Sequence, residues 1–160
     1  MYTTDALLDM HSRVHKNLAG LIAHCAKLSG EDAERKFEAF GDATIRLQIH
    51  HAIGAEHYWM GVLQGVVDAA DTSGDYPDVA SLEAFRAEVF MATQEFLQSL
   101  DEEALNDERR VSTWGGQEAD LRPSHVFLRT QTHYYQHQGQ VLAACRLLGH
   151  PGSGFDFPIR

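Results

Sequence analysis

Two histidines, His133 and His137, stand four residues apart in the stretch THYYQHQGQV, near the C-terminal end of this 160-residue chain. On a helix, positions i and i+4 are neighbours on one face, so both rings can reach a single ion. Neutral imidazoles ligate divalent transition metals, and a three-histidine set that leaves a coordination position open is the arrangement of a catalytic rather than a closed structural centre. The same spacing recurs in His11 and His15, and the chain holds ten histidines in all. Spacing alone therefore leaves two readings of His133 and His137: metal ligands, or hydrogen-bonded residues of a core.

The faces of the surrounding helices sort the histidines further. With His133 at zero and about 100° per residue, Val126, Phe127, Tyr134, Val141, Ala144, Cys145 and Leu148 fall between about 20° and 120°. His133 borders that apolar arc, His137 lies inside it, and His125 falls on the polar side with Thr132 and Gln136. In LQIHHAIGAEHYW the same construction from His51 places Ile49, Ala52, Ala55, Trp59, Val62, Leu63 and Val66 between about 20° and 160°. His51 borders that arc, whereas His50 and His57 join Arg46 and Gln64 on the polar face. One histidine of this helix and the pair of the later one can thus point inward together, while His11 and His15 sit at the margin of their own arc. Glu56 falls on the apolar arc, where an unpaired carboxylate is costly, so it needs a partner, and a structural hydrogen bond is preferred to general-base chemistry. Tyr58, Trp59, Tyr134 and Tyr135 read as aromatic fillers whose phenols could equally line a pocket.

Four amphipathic segments must carry these residues. Leu7, Met10, Val14, Leu18, Leu21, Cys25 and Leu28 recur at three- and four-residue steps and predict a first helix over 5–28. Asp42 can cap a second over about 43–69, which DTSGDYPD breaks. Ser81 caps a third, with Leu82, Phe85, Val89, Phe96 and Leu100 on one face. A fourth begins near Leu121, accepts Pro123 in its first turn and stops at Gly149. With no alternating strand pattern, the fold class is all-α, a four-helix bundle. The connection over 101–120 is too long for a plain bundle turn and is expected to hold a small hairpin or lid around TWGGQ. In the tail GHPGSGFDFPIR, Phe155 and Phe157 are expected to dock on the bundle.

Length and composition bound the rest. A chain of this size is expected to form one domain, 1–160, able to bury its own core. A formal net charge of −10 without a Lys/Arg cluster argues against nucleic acid and anionic membranes as partners. No apolar run is long enough to span a bilayer, and MYTTDALLDMHSR does not read as a signal peptide, so the expected location is cytoplasmic. Cys25 and Cys145 both fall at apolar helical positions, and reduced buried thiols are expected rather than a bridge.

The motifs HHAIGAEHYWM and THYYQHQGQVLAACRLLG, with the tail PGSGFDF, resemble the DinB-like superfamily, which includes bacillithiol transferases and mycothiol-dependent isomerases. The resemblance covers nearly the whole chain. The family's helix-two pattern, a histidine followed by glutamate five on and tryptophan eight on, selects His51, Glu56 and Trp59, and its H-x-x-x-H-R-G-Q stretch selects His133 and His137. What the resemblance implies is a four-helix bundle of unusual connectivity, one divalent transition metal on His51, His133 and His137, zinc before nickel, and a homodimer. Glu56, Tyr58 and Tyr134 become candidates for the shell around that ion. Gln138 stands where the pattern usually has arginine, a position read as surface or outer shell, which puts substrate or interface contacts in doubt. The leading functional expectation is a metal-dependent S-transferase joining a low-molecular-weight thiol to a small electrophile. The alternatives are a non-catalytic metal-binding or scaffold protein, and a metal-assisted hydrolase.

Overall fold

The computed structural model describes residues 1–41 and 43–159. Four long helices dominate it: α1 (Thr4–Cys25), α3 (Ile45–Leu63), α4 (Leu82–Gln98) and α6 (Pro123–Leu147), with two short ones, α2 (Gly30–Ala33) and α5 (Glu102–Asn106). The expected hairpin is present: β1 (Arg109–Ser112) pairs antiparallel with β2 (Glu118–Leu121), with Val111 opposite Ala119. The turn between them runs through Trp114, Gly115 and Gly116, and both glycines lie in the left-handed region (φ 68° and 72°) that disfavours a side chain. α3 packs most extensively on α6, and α1 on α4.

Boundaries moved where local chemistry overrode the apolar pattern. α1 ends at Cys25, although Leu28 still packs on the core. α3 ends at Leu63, six residues before the expected 69, because Gly65 takes a φ of 79° and the Val66 N–H turns back to the Gly61 carbonyl (2.9 Å). A Cβ at Gly61 would stand 2.9 Å from the Val66 carbonyl oxygen, so this reversal needs a residue without one. Val66 and Val67 are consequently exposed rather than part of an apolar arc. Asp42 lies outside the described residues, and the cap of α3 is Thr44, whose Oγ1 accepts from the Leu47 N–H (3.1 Å). Ser81 precedes α4 without capping it; its hydroxyl donates to the Asp78 carbonyl (2.6 Å) instead. Leu121 belongs to β2, and α6 begins at Pro123, whose missing N–H costs nothing in a first turn.

The apolar core is divided in two. One part gathers Val14, Leu18 and Leu21 of α1, Ile49 and Ile53 of α3, Val89 of α4, and Tyr134 and Val141 of α6. The other gathers Leu7, Met60, Leu63, Phe96, Leu97, Val126 and Phe127. Each long helix carries buried polar residues where these two sets meet: His11 and His15 on either side of Val14, Glu56, Thr93, and Thr130 with Gln131. The bundle therefore carries a polar layer across its middle.

The tail docks as expected for Phe155, which packs on the core, while Phe157 stays 42% exposed. Gln138 and Asn17 hold the tail through its backbone, donating to the carbonyls of Phe155 (2.6 Å) and Asp156 (3.0 Å). Gln138 is thus buried and structural, and the reading of that position as surface or outer shell is corrected. Cys25 and Cys145 are buried free thiols with Sγ atoms 3.7 Å apart, beyond the ~2.05 Å of a disulfide.

Candidate metal centre and its cavity

α3 and α6 bring His51, His133 and His137 to the wall of an open cavity of about 740 Å³. His133 Nε2 lies 3.1 Å from His51 Nε2 and 3.1 Å from His137 Nε2. Zinc about 2.0–2.1 Å from each nitrogen of a tetrahedral set separates those nitrogens by about 3.3 Å, so the spacing fits a shared ion. The rings do not point into the core: His51 is exposed, and His133 and His137 are half-buried. Tight packing of the triad was not needed for convergence, because α3 and α6 open at this level onto the cavity.

The protonation of one ring is fixed by its neighbour. His137 Nδ1–H donates to Gln48 Oε1, and Gln48 Nε2 donates in turn to the Phe40 carbonyl (3.5 Å), which orients the amide. That leaves the His137 Nε2 lone pair facing the other two rings. Burial pushes His137 down to about 4, helped by the nearby charge of His133 and His51. Burial likewise lowers His133, with His51 and Arg129 adding to it. Both rings are therefore neutral, the ligating form, at pH 7. Gln48 was missed in the sequence although the signal existed: at about 60° from His51 it is, like Glu56 at about 140°, a polar residue on the apolar arc of its helix. Replacing Gln48 with Leu is expected to lower the affinity for zinc by about 10–100-fold, read by competition with a chromophoric chelator; unchanged affinity would remove Gln48 from the site.

A second group, His11, His15 and Glu56, also has ligating atoms within 4.8 Å of one another, and either group could hold a metal ion. Its hydrogen bonding differs in kind. Arg86 Nη1 donates to His15 Nδ1 (3.4 Å) and Gln94 Nε2 to His11 Nδ1 (3.0 Å), so each ring presents an Nε2–H to the carboxylate. Glu56 Oε1 accepts from His11 (2.8 Å) and Thr93 (2.8 Å), Oε2 accepts from Gln131 (3.1 Å), and His15 lies 3.2 Å from both oxygens. Burial alone would raise the Glu56 carboxyl, but His15 beside it and the hydrogen bonds from both histidines outweigh burial and hold it below the usual carboxylate range. Burial is the largest influence on His11 and lowers it. Donors aimed at an anion make a closed clamp, whereas lone pairs aimed at one another call for a cation. His11 and His15, placed at the margin of an apolar arc, are 0% and 2% exposed because α1 buries its polar partner along with its apolar face.

The remaining candidates separate. Glu56 contacts the clamp and not the triad. The Tyr134 hydroxyl lies near Asn17 Oδ1 (2.7 Å) and Gln138 Oε1 (2.5 Å), on the side that holds the tail. Tyr58 lines the cavity, and its oxygen accepts from the Trp114 N–H (2.8 Å), pinning the hairpin turn to α3. Trp59 and Trp114 form the adjoining wall with ring centroids 5.6 Å apart. Residues 68–73, expected as helix and linker, supply another wall, with His50 Nε2 near Thr72 Oγ1 (3.1 Å). Among the described residues, no helix is long and apolar enough to cross a membrane.

Four long helices, an imidazole triad that could hold a metal ion on the wall of an open cavity, and a buried polar layer define a helical-bundle protein with a candidate metal centre. The chain belongs to the DinB family, whose profile matches residues 3–160. Its structure is similar to the crystal structure of a DinB-like protein from Bacillus cereus ATCC 10987, with a TM-score of 0.75 over 96% of this chain and 100% of that one, at 17% identity. That likeness concerns the fold alone. No curated protein matches the sequence.

Proposed function

We propose that this protein is a divalent-metal-dependent S-transferase that joins a low-molecular-weight thiol to a small electrophile. The observation that carries the reading is the convergence of three Nε2 atoms, two on rings held neutral, at the wall of a cavity large enough for a small molecule. Three nitrogen ligands suit zinc first and nickel next, and leave room for a further ligand. A bound dication would lower the pKa of a thiol, so that a thiolate is available at neutral pH. The protein's own part is positional: Gln48 fixes the His137 ring, and Tyr58, Trp59 and Trp114 give the electrophile an apolar wall. The thiolate sulfur forms a bond to the electrophilic carbon, and the leaving group departs with the electron pair of the bond that breaks.

Untagged protein loaded with zinc or nickel, and a chelated control, would be offered a panel of low-molecular-weight thiols with a chromogenic alkyl halide. The expected result is metal-dependent conjugation with at least one thiol. Metal-dependent loss of the halide without any thiol would replace this reading with a hydrolase, and a stoichiometric ion with no turnover would replace it with a metal-binding scaffold.

A further inference from the structure

Arg129 lies one turn before His133 on α6 and lines the same cavity; it is the one Lys or Arg among the described lining residues. Arg13, Arg46, Arg86, Arg110 and Arg122 each have a carboxylate partner, and Arg129 has none among the described residues. Its guanidinium lies over the Trp59 ring, 4.9 Å from the centroid, which holds the planar group in place. A cation stacked by its face keeps its edge N–H donors free, and that fork matches a carboxylate with two parallel hydrogen bonds. In a chain of net charge −10, with Asp68 and Asp71 on the loop side of the cavity, an unneutralised arginine is a local reversal of sign.

From this geometry we propose that the cavity selects a carboxylate-bearing small molecule, its carboxylate on Arg129 and its apolar body against Trp59 and Trp114. The inference deepens the transferase reading by naming a substrate class, and it rests on that reading for which partner, thiol or electrophile, carries the carboxylate. The binding itself does not require turnover.

Both tryptophans of the chain line this cavity, so intrinsic fluorescence reports on it directly. Phenylacetate and phenylacetamide would be titrated at pH 8, above the ordinary imidazole range, into full-length protein with zinc and with chelator, with calorimetry as a second readout. The expected result is about tenfold tighter binding of the carboxylate, the ratio of a modest charge-assisted hydrogen-bond gain, with and without zinc. Arg129→Met should bring the two affinities together chiefly by weakening the carboxylate, and Arg129→Lys should retain a smaller preference. Equal affinities in the wild type, a preference that survives Arg129→Met, or one present only with zinc would overturn the proposal. In turnover, N-acetylcysteine against its amide with a neutral electrophile, and a carboxylated electrophile against its amide with a neutral thiol, assign the group: Arg129→Met lowers kcat/KM for whichever carries it. Absence of turnover in both arms would count against the transferase reading and leave the binding result standing.

Discussion

Replacing Glu56 with Ala is expected to lower the melting temperature by on the order of 10 °C. The carboxylate accepts from donors on three other helices, His11 and His15 of α1, Thr93 of α4 and Gln131 of α6, of which Gln131 also donates to Thr130 Oγ1 (3.0 Å). Removing it leaves the donors of His11, His15 and Thr93 buried and unpaired, a loss of about 3–5 kcal/mol for a broken buried polar network. In a chain of this length each kcal/mol moves the melting temperature by about 2–4 °C. Glu56→Gln should fare little better, since its amide turns two donors toward groups that already donate. Thr93→Val, which deletes one donor and keeps the shape, should cost only about 1 kcal/mol. A Glu56→Ala protein that melts within about 2 °C of wild type by circular dichroism would show the layer to be energetically neutral.

The same clamp sets an acid dependence. Because Glu56 is held below the ordinary carboxylate value of 4.5, it contributes stability above that value and loses it as pH falls through its own lower one. His11 is lowered from 6.5, so below 6.5 the unfolded chain binds a proton that the folded ring resists, which also weakens the fold as pH falls. Both effects run in one direction, and wild-type stability should decline from about pH 6.5 downward. The Glu56→Gln curve should be flatter at its acid end.

His51→Ala, His133→Ala and His137→Ala are each expected to weaken zinc binding by more than about a hundredfold, beyond the 10–100-fold that outer partners of a ligand are worth. His50→Ala and His125→Ala should leave it unchanged. The double change of His11 and His15 to Ala should also leave the affinity intact while destabilising the fold, because those rings offer N–H groups rather than lone pairs to their centre. Chelation should not remove helical circular dichroism, since the triad lies outside both apolar clusters. Stoichiometric zinc retained by His133→Ala and lost by the His11/His15 double variant would move the ion to the buried group.

The helical bundle and the hairpin were legible because each has a local signal, three- and four-residue apolar steps and an overlong connection with paired glycines. The i, i+4 pair of His133 and His137 was shared by His11 and His15, so His51, His133 and His137 were singled out by helix faces and by the family motif rather than by spacing. The polar layer was only half legible. Glu56 stood out as a carboxylate on an apolar arc, but its partners His11 and His15 were placed at a margin, because an arc computed from one helix does not know that a neighbour supplies a buried anion. The cavity was least legible. Its walls at 68–73 depend on a backbone reversal at Gly61 and Gly65 that apolar periodicity ran through, and Arg129 shows nothing in sequence to distinguish it from any exposed arginine on a helix.

α3 presents His51 to the cavity and Glu56 to the clamp, and α6 does the same with His133 and Gln131. At about 100° per residue, one residue inserted between 51 and 56, or between 131 and 133, would turn one group away from its partners while the other stayed in place. Length is thus locked along these two short stretches of helix. The turn at 113–117 and the segment 66–73 carry no such register. Residues gained or lost there would reshape the cavity wall and leave the spacing that joins histidine to glutamate unchanged.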